Sequence, residues 1–278
     1  MSKKLSIITI NYNDKIGLEK TIQSVINQTW KEFEFIVIDG NSTDGSKQII
    51  EKYKSHISFW KSESDTGVYN AMNKGIETAN GKYLIFMNGG DIFFDFDVLN
   101  KINKNLDEDY SIIYGNSACY EKDIYIRNEI PPSKLSLNFF YVHCLNHQSC
   151  FIKKDILVKY NCYNESNKIC SDWEFYINAI CLNNESYNYI NQFICNYDMT
   201  GMSANPKNKI IFQNERELIF TKYFPLVIDD YKNYNTLLTE FNSKKIRNIF
   251  HIKKFTIPWK ILSKISRIMI FFLPKNKF

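Results

Sequence analysis

A chain of 278 residues, 44% hydrophobic and 15% aromatic, is long enough to bury a large core, and this composition excludes the disordered and fibrous classes. Its formal charge of +5 is unevenly placed: residues 244–278 carry ten Lys or Arg and no Asp or Glu, leaving 25 basic against 30 acidic residues in the body. An acidic body, with no recognised nucleic-acid motif in the basic stretch, argues against DNA or RNA as a partner, and no run of about eighteen apolar residues predicts a membrane span.

Residues 1–4 lead directly into an apolar run over 5–10, so a buried first strand is expected with no cleavable leader before it. That run ends in polar Asn11-Tyr12-Asn13. Residues 17–28 place Leu18, Ile22, Val25 and Ile26 at helical spacing. A second strand over 33–38 ends in Asp39. The turn Gly40-Asn-Ser-Thr-Asp-Gly-Ser46 is rich in helix-capping residues and opens a helix through Ile49, Ile50 and Tyr53. A third strand over 57–60 leads to Asp65. The next helix sets Val68, Met72, Ile76 and Ala79 on one face, Asn80-Gly81 breaks it, and an apolar strand over 83–87 stops at Asn88-Gly89-Gly90-Asp91.

This alternation predicts a doubly wound α/β fold around a mostly parallel sheet. Such sheets bind ligands beyond the carboxyl ends of their strands, where Asp39, Asp65 and Asp91 all fall. One acid at a strand end is commonly a turn former or helix cap; three in succession point to a site. Neither G-x-G-x-x-G nor G-x-x-x-x-G-K-[ST] follows the first strand, which argues against a Rossmann dehydrogenase and a P-loop enzyme.

Beyond Asp91 a helix is expected near 97–105, strand pieces from 111 to 127, and a stop at Pro131-Pro132. Asn146-His147-Gln148-Ser149 leads into a strand over 150–152 and a short helix from Asp155. Ser171 is placed as the cap of a helix with the apolar stripe Trp173, Tyr176, Ile177 and Ile180, and residues 187–194 return as a strand or hairpin before the turn Thr200-Gly201-Met202-Ser203. Seven scattered cysteines without C-x-x-C favour a reduced, cytoplasmic setting. Over residues 257–273, Ile261, Ile265, Ile268 and Phe272 form a stripe with Leu262 and Met269 beside it, while Lys260, Lys264 and Arg267 lie on another face. A basic amphipathic helix of this kind either lies on an anionic membrane surface, here the inner face of the cytoplasmic membrane, or packs on the domain.

The blocks S-I-I-T-I-N-Y-N, S-V-I-N-Q-T, V-I-D-G-N-S-T-D-G-S, D-T-G-V-Y-N-A-M-N-K-G-I and N-G-G-D follow one another within the first 91 residues. In content and order they resemble the inverting nucleotide-sugar glycosyltransferases of family 2. N-H-Q-S and S-D-W-E-F are similar to the acceptor-half blocks of that family, particularly in enzymes of bacterial surface-polysaccharide assembly (O-antigen, capsule, exopolysaccharide). The resemblance implies a GT-A fold, Rossmann-like and mostly parallel, over residues 1–225. Its nucleotide-sugar-binding half would be 1–91 and its acceptor-side half 92–225, with a helical tail over 226–278. It implies that Asn11 and Asp39 line the nucleoside pocket, that Asp65 reaches the uracil end of a UDP-linked donor, and that Asp91 stands at a Mn²⁺- or Mg²⁺-binding motif with Asn88 beside it. Asp172 would be the general base, and the turn at 201–203 would flank the diphosphate or the acceptor, a saccharide carried on a lipid.

The chemistry so implied needs a metal to offset charge on the departing diphosphate. It also needs a carboxylate across the anomeric carbon to accept the acceptor's proton, a geometry that inverts configuration. The motif departs from the family pattern of two or three aspartates, although one carboxylate with substrate phosphates and water can hold a hard cation. A degenerate motif leaves open a non-catalytic nucleotide-sugar-binding or scaffold protein. Lys74 is either a phosphate contact or a solvated helix lysine, His147 either a diphosphate or acceptor ligand or a structural histidine, and Trp173 either core or a platform for a sugar face. Asp172 opens a helix, a place that lowers its basicity. His143 and His147 have metal-ligand spacing, but their strand-or-loop context argues against zinc.

Overall fold

The computed structural model describes residues 3–203 and 205–272. Chain order gives β1 (Leu5–Asn11), α1 (Lys15–Ile26), β2 (Phe33–Asp39), α2 (Ser46–Tyr53), β3 (Phe59–Ser62), α3 (Val68–Thr78) and β4 (Tyr83–Phe86). β1 lies between β2 and β4, β2 pairs with β3, and all these pairs are parallel. Every residue of β1 and β4 is buried, which is why both read as continuous apolar runs rather than alternating ones. α1 begins where the Asp14 carboxylate accepts from Gly17 N, and its Leu18, Ile22 and Val25 enter the core. β3 starts two residues later than the apolar run suggested, because a 3-10 turn over Lys54–His56 carries the chain out of α2.

The second half continues with β5 (Ile92–Phe93), α4 (Val98–Ile102), β6 (Ile112–Glu121), β7 (Ile124–Glu129), α5 (Leu137–Val142), β8 (Cys150–Lys153), α6 (Lys154–Lys159), α7 (Ser171–Tyr176), β9 (Tyr187–Asp198) and α8 (Lys209–Tyr223). The sheet runs β3-β2-β1-β4-β8-β6-β9-β5, with β7 paired to β6. β8 is antiparallel to both β4 and β6, whereas β6 and β9 are parallel. The wholly parallel pairing is thus confined to the first half, and the sheet is extended by reversals. Residues 187–198 form one long strand, not a hairpin. Ser171 is not a cap: α7 begins at Ser171 itself, the preceding residue is Cys170, and the buried Ser171 hydroxyl has no hydrogen-bond partner.

Two compact units divide inside α8, one over Met1–Arg216 and the other over Glu217–Phe278. The second holds α9 (Ile228–Phe241), α10 (Lys244–Lys253) and α11 (Thr256–Phe272). Ser243 caps α10 by accepting from Ile246 N. On α11, Ile257, Ile261, Ile265 and Met269 are exposed; the side chains of Ile268 and Phe272, and Leu273 altogether, lie outside the described residues. No helix among the described residues is long and apolar enough to cross a membrane. All seven cysteines carry free thiols.

Candidate active site

Parallel register sets Asn11 opposite Asp39 and Asp39 opposite Ser62. The Asp39 carboxylate is fully buried. Asn11 Nδ2 and Ser42 Oγ donate to its Oδ1 at 2.9 and 2.6 Å, and Ser42 N and Ser62 Oγ donate to its Oδ2 at 2.9 and 2.5 Å. Burial alone would raise its pKa, but the bonds from Ser42, Ser62 and Asn11 outweigh burial and the net shift is downward. Four protein donors fill the carboxylate, and beside it Asn11 Oδ1 is buried without a hydrogen-bond partner. Gly40 permits the next approach, since a Cβ there would stand 2.7 Å from Asp65 Oδ2 and 3.0 Å from Tyr12 Cδ2. Asn11, Asp39 and Asp65 are therefore brought to one sheet edge. Ser42, Ser62 and the exposed Tyr12 join them, residues that the sequence reading did not single out. Lys74 is committed elsewhere, 3.0 Å from Glu63 and 3.2 Å from the Ser64 carbonyl.

The loop after β4 differs. Asp91, expected as a metal ligand, is 3% exposed. Its Oδ1 accepts from Asp198 N and its Oδ2 from Gln148 Nε2, each at 3.0 Å, while its carbonyl accepts from Thr21 Oγ1 at 2.7 Å. Burial pushes its pKa up to about 6 against those bonds. As folded, this carboxylate braces the loop to β9. Gly90 has φ +99°, and a Cβ there would meet Asp198 Oδ2 at 2.8 Å, so the partly exposed acid flanking the loop is Asp198. It sits in Y-D-M-T, a stretch without a motif signal. Among the described residues no group of three His, Cys, Asp or Glu could enclose a metal. One carboxylate with substrate phosphates and water can hold a hard cation, and the partly exposed acid beside this loop is Asp198.

Asp172 lies in the first turn of α7, where the entering chain is fixed from outside. The Glu215 carboxylate on α8 accepts from Lys168 N, Ile169 N and Cys170 N at 2.6, 2.9 and 3.0 Å. Asp172 Oδ1 accepts from Trp173 N at 2.9 Å and lies 2.9 Å from the Tyr69 hydroxyl, whose single proton is shared with the Ile169 carbonyl. Asp172 Oδ2 lies 3.0 Å from His147 Nδ1, and His147 Nε2 lies 3.0 Å from Asn88 Nδ2. Three residues predicted separately from the sequence thus form one chain of contacts.

Asp172 and His147 line a cavity of about 760 Å³, with His143, Tyr197, Met199 and Ser203 on other walls. Trp173 is core and wall together: its Nε1 donates to the Phe140 and His143 carbonyls, and the Arg216 guanidinium covers its ring at 4.2 Å. Arg216 also donates to the Phe140 and Tyr141 carbonyls, and burial lowers its pKa. The turn at 200–203 reaches the cavity through Ser203 Oγ, 3.0 Å from the Tyr197 hydroxyl. The sequence reading missed Tyr69, Gln148, Asp198, Glu215 and Arg216. Two of them lay in quoted blocks, Tyr69 in D-T-G-V-Y-N-A-M-N-K-G-I and Gln148 beside His147 in N-H-Q-S.

A mostly parallel sheet flanked by helices and extended by antiparallel strands is the GT-A architecture, and solved structures share it. S. aureus TarS in complex with UDP-GlcNAc superimposes with a TM-score of 0.62 at 18% identity, over 78% of this chain and 66% of that one. A mannosyltransferase from Pyrobaculum calidifontis in complex with GDP-Man and Mn²⁺ gives 0.54 at 12% identity, over 94% and 87%. The family model described as glycosyl transferase family 2 matches residues 6–157, more than half the chain, and the chain belongs to that family. It is 29% identical over 221 residues to an uncharacterised glycosyltransferase of Mycobacterium tuberculosis, covering 77% of this chain and 82% of that protein. It is 24% identical over 207 residues to a PGL/p-HBAD biosynthesis glycosyltransferase of Mycobacterium bovis, covering 72% and 78%. The chain thus spans just under two thirds of the TarS chain and more of the mycobacterial relatives.

Proposed function

We propose that this protein is an inverting glycosyltransferase that moves a sugar from a UDP-linked donor to a saccharide acceptor carried on a lipid, in bacterial surface-polysaccharide synthesis. The observation that carries the reading is the Asp172 carboxylate on the cavity wall, linked through His147 to the loop after β4. Asn11 Oδ1, framed by Asp39, and Asp65 beside Gly40 supply acceptors for the ribose and base. Asp172 takes the proton of the acceptor hydroxyl as its oxygen attacks the anomeric carbon from the side opposite the diphosphate, which inverts the centre. A divalent cation, Mn²⁺ or Mg²⁺, arriving on the diphosphate supplies charge compensation for the leaving group. Asp198 faces that end of the site, and Asp91 keeps the loop in shape. The TarS complex with UDP-GlcNAc supports the choice of donor class, and the PGL/p-HBAD biosynthesis relative supports glycosyl transfer.

The test is sugar transfer measured beside calorimetric UDP binding. Asp172→Asn is expected to lower kcat about 10³-fold and leave UDP affinity within a factor of about three; an unchanged turnover rate removes Asp172 as the base. We assign α11, with its exposed Ile257, Ile261, Ile265 and Met269 and its Lys260, Lys264 and Arg267, to the anionic inner face of the cytoplasmic membrane. Ending the chain before Lys244 should release it from anionic liposomes, and equal partitioning of both lengths refutes that role.

A further inference from the structure

We propose that His147 is a positioning residue for the proton-accepting carboxylate, and that Asn88 is the residue that selects the imidazole tautomer required. The inference rests on the reading of Asp172 as the base. A neutral imidazole has one donor and one acceptor nitrogen. Nδ1 lies 3.0 Å from a carboxylate oxygen, which can only accept from it, so Nδ1 carries the proton. Nε2 lies 3.0 Å from Asn88 Nδ2, and with the amide in this orientation its N–H donates to a bare Nε2. Turning the amide over would set Asn88 Oδ1 against Nε2 and demand a second ring proton. A carboxylate at position 88 would make the same demand. The side chains of His147 and Asp172 are 15% and 14% exposed, so little water competes for these contacts.

The ring is held from its other sides as well. Phe86 meets it edge-on, with centroids 6.4 Å apart. The 3-10 turn carrying it is closed by Ser149 N donating to the Asn146 carbonyl. Its neighbour Gln148 grips Asp91, so consecutive residues of one turn hold the loop after β4 at two points, Asn88 and Asp91.

The consequence lies in what Asp172 has left to offer. Its Oδ1 accepts from Trp173 N–H and faces the Tyr69 hydroxyl, whose proton it shares with the Ile169 carbonyl, and its Oδ2 faces His147 Nδ1. One acceptor position remains, on Oδ2. An acceptor hydroxyl therefore meets a single defined lone pair, fixed relative to the loop that faces the leaving group. The hydroxyl proton passes to Asp172 Oδ2, the hydroxyl oxygen bonds to the anomeric carbon, and the diphosphate leaves with the electron pair of the broken bond. His147 neither gains nor loses a proton.

Two amide variants separate the two ring nitrogens, because Asn can place its N–H₂ where Nδ1 stands and Gln where Nε2 stands. In the full chain, His147→Asn is expected to keep kcat within about fivefold of the parent. His147→Gln and His147→Ala should lose about 100-fold, with donor KM and calorimetric UDP affinity within about threefold. Equal losses in the Asn and Gln variants overturn the proposal, as does a loss that appears as weaker UDP binding, which would make His147 a donor ligand instead. A ¹⁵N spectrum of the unmutated protein reads the tautomer directly: protonated Nδ1 with bare Nε2 supports the proposal, and a cationic or Nε2–H ring overturns it. Parental turnover in Asp172→Asn would instead remove the base itself, whatever the His147 variants do.

Discussion

Asp39 closes β2 and Asp91 stands in the loop five residues beyond β4, the two strands that flank β1, and both are buried. Their electrostatics are opposite. Two hydroxyls, an amide and a main-chain N–H donate to Asp39, and its pKa falls. One amide and one main-chain N–H donate to Asp91, and burial drives its pKa up to about 6. Depth alone does not decide the charge of a strand-end acid; the number of donors around it does. The donors around Asp39 hold it as an anion, whereas burial favours the protonated form of Asp91.

The largest effect is expected at Asp39. Asp39→Ala leaves Asn11 Nδ2, Ser42 Oγ, Ser42 N and Ser62 Oγ without their acceptor in a site that excludes water. Buried groups so orphaned cost about 1–3 kcal/mol each with partial relaxation, and a loss of about 4 kcal/mol in denaturant unfolding is expected. A loss below about 1 kcal/mol would mean that these donors find water.

The pH dependence sharpens the contrast. Asp91 has a folded-state pKa near 6 against an ordinary 3.8, so folding favours its protonated form. Its unfavourable contribution is absent below about pH 3.8, grows as pH rises toward 6 and is complete above that, reaching roughly 3 kcal/mol. Asp39 works the other way: its stabilisation is present above the ordinary value and is lost as pH falls through its lowered folded pKa. Without nucleotide or divalent cation, the unfolding free energy of the parent should fall relative to Asp91→Asn between pH 4 and pH 7. A constant difference across that range would place Asp91 in contact with water.

Much of this was readable in the chain, and the reason differs by region. β1, β2 and β4 announce themselves because parallel strands buried on both faces need unbroken apolar runs, whereas β3 alternates exposed and half-buried residues. Asn11 and Asp39 close two of these runs, and Asp65 follows β3 by three residues. His147 and Asp172 came from the family blocks, but their contact did not, because it joins a 3-10 turn to a helix 25 residues later. Glu215 and Arg216 were invisible: what they grip is backbone, the N–H groups at 168–170 and the carbonyls of Phe140 and Tyr141. Asp91 was read as a metal ligand, and the structure turns its carboxylate onto Gln148 Nε2 and Asp198 N, an orientation that the sequence of a loop does not specify.

The smallest expected effect tests which acid faces the loop after β4. Position 90 has a left-handed backbone, so Gly90→Ala should cost about 1–2 kcal/mol from backbone strain and the approach of Asp198 Oδ2. Gly90→Asp adds a second carboxylate beside Asp198 and should cost about 1 kcal/mol more in denaturant unfolding, an increment that shrinks in high salt. In an Asp198→Asn background that increment should vanish while the strain remains, because the mutation removes the opposing charge and leaves φ unchanged. If Gly90→Asp is no worse than Gly90→Ala in either background, the Asp198 carboxylate does not face the loop. The β4 end would then present no acid of its own to a cation, and the two strand ends would differ in more than their donor counts.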